Sequence, residues 1–437
     1  MLKDVYIKYI PSEPGKEVTI GGWISRIKEL KNAKFIWLTD KTGTAQISIV
    51  KGKVSDELFS QVNSFNLHDF LVVKGVVPEK TLAKNFKELL PKDIKVVGKA
   101  EKPLPIDVNA VLSAELETRL DWRSIALRDP KLMFIIKAES SLVEGMENYL
   151  NKHDFTIVFT PSIIGVASEG GSEVFPIVYY DKTTYLRQDP QLHRQLLMVA
   201  GLDKIYEIGP SWRAELSHTP RHLAEHRTCA AEISFITDEH DVMHLEEEMV
   251  RDAIKNVAEH NKEELEKFGI DLKIPNLPFP ELRFPDIYSI LEEMGNKLQE
   301  GSDLDHKSEL LLAQYVKEKY NSEFFFVNRF PFKVKPFYVM KVEDDPEYAR
   351  SVDLIYKGVE LSSGGQREHR YDKIIEQAKE KGMNMESVIW FAKFFKYGAP
   401  PHGGFSIGIE RTVMQMLNLE NILEVPAFPR TPERTVP

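Results

Sequence analysis

Residues 208–235, IGPSWRAELSHTPRHLAEHRTCAAEISF, form the stretch whose reading decides the fold. Apolar residues alternate into it at Tyr206 and Ile208 and out of it at Ile233 and Phe235. That period predicts two strands joined by a loop. The loop carries Arg213, Glu215, His218, Arg221, His222, Glu225, His226 and Arg227. A hairpin closes without so much charge. Guanidinium groups, planar and always charged, suit forked recognition of phosphate. A solvated surface loop is the competing reading, and the surrounding chain has to choose.

Downstream, VDLIYKGVELSSGGQREHR (352–370) predicts two antiparallel strands turning at Lys357-Gly358 and leading to a Gly-Gly turn. Asp353 and Glu360 would then face one cleft, and paired carboxylates beside a phosphate-binding loop suit Mg²⁺. In PPHGGFSIGIERTVMQML (400–417), Gly403, Gly404 and Gly408 precede a helix carrying Arg411. Glycines let a strand approach a ligand closely, and a helix start favours an anion. Three such clusters on one scaffold favour the phosphate reading. Between them, His240–Phe268 predicts one long acidic amphipathic helix with a solvated face and no chemistry. A Pro-rich connector, 275–285, opens a mixed insert ending near Phe332.

Upstream, 134–153 keeps a helical apolar face, followed by a strand at Phe155–Phe159 that stops at Thr160-Pro161. A Gly-rich turn, a hairpin and a helix from about Pro190 come next. Residues 105–130 read as a charged hinge after Pro103 and Pro105. The first 104 residues hold three strand-like runs over 17–50, a fourth at Phe70–Val77, and a further run at Ile94–Val97. Short strands with turn residues predict a small barrel, and the five-stranded OB type binds oligonucleotides. Trp23 and Trp37 are expected in its core. Phe35 is open to either core or base stacking, with Arg26, Lys28, Lys31 and Lys34 nearby for phosphate.

Composition excludes several classes. The 437 residues contain one cysteine, Cys229, so there is neither a disulfide framework nor a thiolate zinc cluster. Its place in a strand predicts a small buried hydrophobe. The first ten residues lack a signal-peptide core, and no apolar run approaches a membrane span, so a cytoplasmic protein is expected. Net charge is −10, yet residues 1–104 hold 18 Lys and Arg against 12 Asp and Glu, which leaves −16 on the rest. A basic module on an acidic body is compatible with RNA bound on one face.

The order of these segments resembles the class II aminoacyl-tRNA synthetases, aspartyl/asparaginyl branch, most closely the archaeal and eukaryotic-type aspartyl enzymes. The resemblance covers nearly the whole chain. Helix, strand and Pro161 resemble the first class II motif, Arg213-Ala214-Glu215 with TPRHLAE the second, and GGFSIGIER the third. SEGGSEVFP, PQL, GVELSSGGQREHR and the closing FPR point to the aspartyl branch. The implied fold is α+β: an anticodon-binding OB barrel (1–104), a hinge (105–130), and a catalytic domain (131–437) with a six- to seven-stranded antiparallel sheet flanked by helices. The implied reaction joins L-aspartate to ATP and passes it to tRNA(Asp), with tRNA(Asn) a possible second acceptor, in a homodimer formed through the first motif.

The resemblance also implies residue roles. Arg213 would hold the α-phosphate, Glu215 the adenine amino group, and His222 would lie near the phosphates with Arg221. Phe235 would stack on adenine, with Arg411 capping its other face and Gly408 close by. Asp353, Glu360 and Ser363 form the implied Mg²⁺ set, and Arg213, Arg411 and Glu360 the catalytic set. Glu169, Gln191, Arg194, Ser363 and Arg367 would bind the amino acid, Arg367 pairing with the side-chain carboxylate. On the barrel, Phe35 would stack on the anticodon, Gln46 read a base edge, and Lys28 lie nearby. Four positions depart from the pattern: Arg194 for Lys, Asp189 for Ser, Ala231 before Glu232 where a carboxylate is usual, and Ser406 for Gly. The first three fall on the amino-acid pocket and leave open a paralogue for another small amino acid or an asparagine-synthetase relative. Ser25 stands where the branch carries residues that discriminate between tRNAs.

Overall fold

The computed structural model describes residues 2–83, 85–107, 110–165, 173–215 and 219–437. The chain divides into two compact units, residues 1–133 with Pro437, and residues 134–436.

The first unit is a closed barrel of order β1-β2-β3-β5-β4. Its strands are β1 (Glu17–Glu29), β2 (Ala33–Asp40), β3 (Gly43–Val50), β4 (Phe70–Val76) and β5 (Lys87–Gly98), with helix α1 (Asp56–Gln61) between β3 and β4. Ile20, Ile24, Ile36, Leu38, Ile47, Ile49, Leu71, Val73 and Leu89 fill it. Each such side chain contributes roughly 1.5–3 kcal/mol on burial. β5 begins well before the predicted Ile94. It accommodates Pro91 opposite Gly75, beside a register irregularity, where a strand tolerates a missing donor. The two tryptophans are not in the core. Ile36 and Leu38 take the inward positions of β2, so Trp37 shares the outer face with Phe35, 6.3 Å away. Ile24 does the same to Trp23, whose ring meets Phe70 edge-on. The predicted hinge contains two short helices, α2 (Leu116–Asp121) and α3 (Arg123–Ala126).

The second unit opens with α4 (Pro130–Lys152, its first turn in the barrel unit), then β6 (Thr156–Ile157), β7 (Ile163–Ile164), β8 (Pro176–Tyr179) and β9 (Lys182–Leu186). Helix α5 (Gln191–Val199) leads to β10 (Lys204–Trp212) and β11 (Glu225–Ser234), the hairpin on which the sequence turned. After α6 (Glu239–His260) and α7 (Lys262–Phe268) come β12 (Glu281–Arg283), α8 (Asp286–Glu293), α9 (His306–Tyr320) and β13 (Phe324–Asn328). The chain closes with β14 (Ser351–Tyr356), β15 (Val359–Arg367), α10 (Tyr371–Glu380), α11 (Glu386–Ala392), β16 (His402–Gly408) and α12 (Ile409–Met416).

The main sheet has eight strands among the described residues, in the order β12-β13-β14-β15-β16-β11-β10-β6. Its six central strands are antiparallel, while β12 and β6 pair in parallel at the edges. The sheet is therefore mixed and one strand wider than expected, because the Pro-rich connector supplies β12 and the supposed insert β13. The expected single helix 240–268 breaks at the buried Asn261. Its apolar face, with Val242, Met249, Val250, Ala253, Ile254 and Val257, is buried as an amphipathic helix requires; α6 lies against β14, β15 and β16, and Ala253 meets Gly145 of α4. Lys357 and Gly358, both at positive φ, make the predicted tight turn. Gly364 and Gly365 make no turn and lie inside β15. A Cβ on Gly404 would fall 2.1 Å from the Ala231 carbonyl oxygen, so neighbouring strands rather than a ligand demand that glycine.

Candidate active site

One face of the central strands floors a cleft of about 640 Å³. At its deep end, Gln191 starts α5 immediately after Pro190. Its Nε2 donates to both oxygens of Glu232, at 3.1 and 3.0 Å. Its Oε1 accepts from Arg194 Nη2 (2.9 Å) and Arg367 Nη2 (3.1 Å). Arg367 also donates through Nε to Glu232 Oε1 (3.1 Å) and through Nη2 to the Gly404 carbonyl (2.9 Å). Gln191, Arg194, Glu232 and Arg367 are all buried. Buried charges survive only when paired and hydrogen-bonded, and this network meets that condition.

The structure alters three expectations here. Arg194 lies behind Asp189 and Gln191 rather than on the cleft wall, and its Nη2 sits 2.7 and 2.8 Å from the two Asp189 oxygens. Asp189 lines the cleft in its place. Ala231 is not where a missing carboxylate would matter. Strand alternation puts Ala230, opposite Ser406, on the face of Glu232, and turns Ala231 away. Glu169 lies outside the described residues. Two polar atoms of the cleft, Gln188 Oε1 and Ser211 Oγ, are buried without a hydrogen-bond partner among the described residues. Both residues line the cleft, so a polar ligand would satisfy them.

The outer end is looser. Arg213 Nη1 and His222 Nε2 reach Glu215 at 3.4 and 3.5 Å. Arg411 projects from the start of α12 and donates to the Glu360 carbonyl at 3.1 Å, and Gly408 precedes it in the cleft wall. Arg221 spans to α9, 2.7 Å from His306 Nδ1 and 3.6 Å from Glu309. Burial, and then Glu360, push the Glu309 carboxyl up to about 8. Phe235 does not belong to this cleft. It follows the far end of β11 at positive φ, 73% exposed, with its N–H on the Pro401 carbonyl. His226, at the loop end of the same strand, lines the cleft instead. Burial, helped by Arg213 and Arg411, lowers its pKa to about 4, so it presents a neutral flat ring. Sequence reading overlooked it because a histidine in a charged loop resembles its neighbours.

A third corner holds Asp353, Glu360 and Ser363, all lining the cleft. Asp353 is opposite Ser363 across the β14–β15 ladder, and a register shift brings Glu360 round beside them. Asp353 Oδ2 accepts from Lys335 Nζ at 2.7 Å, while Oδ1 is buried with no close hydrogen bond among the described residues, the Ser363 hydroxyl being the nearest group that favours its charge. Burial raises the Asp353 carboxyl and the ammonium pulls it back. Lys335, also over the Phe330 ring at 3.6 Å, was not singled out by sequence, since a lysine in KVKPFY carries no local signal.

On the barrel, cross-strand pairs gather a second polar face. Lys28 is opposite Phe35, Phe35 opposite Ser48, Trp37 opposite Gln46, and Gln46 opposite Glu88. Arg26 stacks over Trp37, its Cζ 4.8 Å from the ring centroid. Gln46 Nε2 donates to Ser48 Oγ (2.9 Å), and Ser48 donates to Glu88. Glu88 also accepts from the Ala83 amide at 3.0 Å, fixing the loop before β5; the sequence reading passed over it. Ser25 is turned inward at the β1 bulge, donating to the Trp37 carbonyl at 3.1 Å.

Residues 115–432 match the family model for class II tRNA synthetases (D, K and N), and residues 18–97 match that for the OB-fold nucleic acid binding domain. The chain belongs to the class II tRNA synthetases. The synthetase is 43% identical to the aspartate–tRNA(Asp) ligase of Pyrococcus furiosus, with 100% of both chains covered. It is 38% identical to the aspartate–tRNA(Asp/Asn) ligase of Aeropyrum pernix, again with 100% of both covered. Among solved structures, the asparaginyl-tRNA synthetase of Pyrococcus horikoshii complexed with asparaginyl-adenylate aligns over 100% of both chains, with a TM-score of 0.93 at 31% identity. The synthetase thus binds ATP, an amino acid and tRNA as its family does. No helix among the described residues is long and apolar enough to cross a membrane.

Proposed function

We propose that this synthetase is an aspartate–tRNA ligase acting in the cytoplasm. The α-carboxylate of L-aspartate attacks the α-phosphorus of ATP, and pyrophosphate leaves. The 3′-terminal hydroxyl of tRNA(Asp) then attacks the adenylate carbonyl, and AMP leaves. The observation that carries the amino-acid choice is Arg367, the guanidinium of the deep end that lines the cleft, held by Glu232, Gln191 and Gly404. A fixed guanidinium fork accepts a carboxylate and gives an amide no matching charge. The relatives favour the same reading, at 43% identity to an aspartate enzyme against 31% to the asparagine enzyme.

The first step needs positioning and charge neutralisation rather than a general base. Arg213 and Arg411 supply charge from opposite walls, with Arg221 and His222 further out. His226, rather than Phe235, offers a ring to the adenine. Glu360 and Ser363 present hard oxygen donors and Asp353 has one oxygen with no close hydrogen bond among the described residues, so the corner fits Mg²⁺, with these residues as its holders. When bound, the ion would neutralise charge gathering on the departing pyrophosphate. Phe35 and Trp37 support anticodon stacking on the barrel, with Gln46 and Glu88 at base edges. Exposed Phe159, Ile163, Val178 and Tyr180 support burial against a second copy, making a homodimer.

Amino-acid-dependent ATP–pyrophosphate exchange tests the reading. Aspartate alone should support exchange, and exchange with asparagine in its place would overturn it. Aminoacylation of both transcripts decides the acceptor: tRNA(Asp) is the expected one. Phe35→Ala should raise the KM for tRNA about tenfold or more and leave exchange unchanged, since a stacked base is worth about 1–3 kcal/mol.

A further inference from the structure

Lys335 stands in the corner assigned above to a divalent cation, and neither the resemblance nor the relatives give it a role. It is 8% exposed, yet it lines the cleft. Its Nζ lies 2.7 Å from Asp353 Oδ2 and 3.6 Å from the Phe330 ring centroid, an ion pair and a ring face that together hold it as a fixed cation. The ammonium occupies that one oxygen of Asp353, and the other makes no close hydrogen bond among the described residues. Asp303, Asp353 and Glu360 line the same cleft as this ammonium, and Glu360 also meets Arg411 at 3.8 Å.

We propose that Lys335 sets the charge of this corner so that a divalent cation enters together with the triphosphate rather than alone. The proposal rests on the reading of Glu360, Ser363 and Asp353 as the cation's holders. Affinity of an oxygen site for a hard divalent ion follows the number of ligand charges it offers. With the ammonium seated on Asp353, the free protein offers Glu360 and a half-committed carboxylate. That is a weak site until the phosphate oxygens of ATP add their charge. Without the ammonium, Asp353 loses its ion-pair partner while Glu360 keeps only its loose pair with Arg411 at 3.8 Å, and the two carboxylates on adjacent strands are enough to hold the ion with no nucleotide. The side chain is a positioning and charge-setting group here, acting on Asp353 rather than on the reacting atoms. Phe330 makes the arrangement specific: its ring, 3.6 Å from Nζ, covers the ammonium and keeps it on Asp353.

The test is Mn²⁺ binding to the full-length protein, read by electron paramagnetic resonance, with and without a non-hydrolysable ATP analogue. Wild type should bind Mn²⁺ at least tenfold more tightly with the analogue than without it. Lys335→Met should bind the ion in the absence of nucleotide at least tenfold more tightly than wild type. Lys335→Arg, which keeps the charge, should match wild type, and adding Asp353→Asn to Lys335→Met should abolish the gain. Thermal melts of each variant show that it is folded. Unchanged or weaker Mn²⁺ binding by folded Lys335→Met would overturn the proposal. No Mn²⁺ binding by wild type even with the analogue would instead overturn the metal corner itself.

Discussion

The two ends of the cleft use the same residue types in opposite ways. At the deep end, Arg194 and Arg367 are nearly inaccessible, and their hydrogen-bond and ion-pair partners lie within 3.1 Å. At the outer end, Arg213, Arg221 and Arg411 pair with carboxylates at 3.4–3.8 Å, and their side chains are 26–47% exposed. The difference follows from what each end must recognise. A small amino acid offers few atoms, so discrimination requires a guanidinium already in place, with its orientation fixed by a saturated amide such as Gln191. A triphosphate brings its own charge, and long flexible arginines can gather around it. Rigidity is concentrated where selectivity is needed, and mobile charge where neutralisation is needed.

The largest test breaks the rigid end. Arg367→Leu removes one member of a buried pair and leaves Glu232 unpaired, a loss of about 3–5 kcal/mol. Aspartate-dependent exchange should fall roughly a thousandfold, while ATP affinity by equilibrium dialysis stays within about twofold. Equal losses of both would mean that the two ends are not separate. A smaller effect sharpens the outer end. His226→Ala should weaken ATP binding about tenfold, the scale of one aromatic contact. Phe235→Ala, exposed at the other end of β11, should leave it unchanged. The reverse result would restore the expectation drawn from sequence.

That exchange of His226 for Phe235 shows what the sequence could and could not carry. Hairpins, the antiparallel core and the grouping of Arg213, Glu215, Glu360 and Arg411 follow from local signals, namely alternation, turn residues and charge where a strand needs none, whereas Arg367 came from the family resemblance alone. Cys229 is the buried hydrophobe expected, its thiol pushed up to about 12 by burial. Failures came where three-dimensional placement decides. Phe235 and His226 lie on one strand, and only the position of the cleft along β11 separates them. Trp37 was assigned inward because tryptophan is apolar, but one residue of parity sends it out. Lys335 and Glu88 acquire their roles from partners 18 and 40 residues away.

The smallest expected effect concerns how the outer end holds its loosest arginine. Glu309, on α9, keeps its proton up to about 8, against an ordinary 4.5, because it is buried and faces Glu360. Between those values the native state binds a proton that the unfolded chain has released, so stability falls as pH rises through the window. A glutamine at 309 has the same shape and nothing to ionise. Glu309→Gln should therefore match wild type near pH 5 and exceed it by about 2 kcal/mol at pH 8.5, measured as urea midpoints at the two values. Because a protonated Glu309 holds Arg221 only loosely, at 3.6 Å, and His306 lies at 2.7 Å from the same guanidinium, the variant should shift the KM for ATP by no more than a few fold. Identical pH dependence in variant and wild type would show that Glu309 is ionised in the folded protein, and that Arg221 is held far more firmly than its long ion pair suggests.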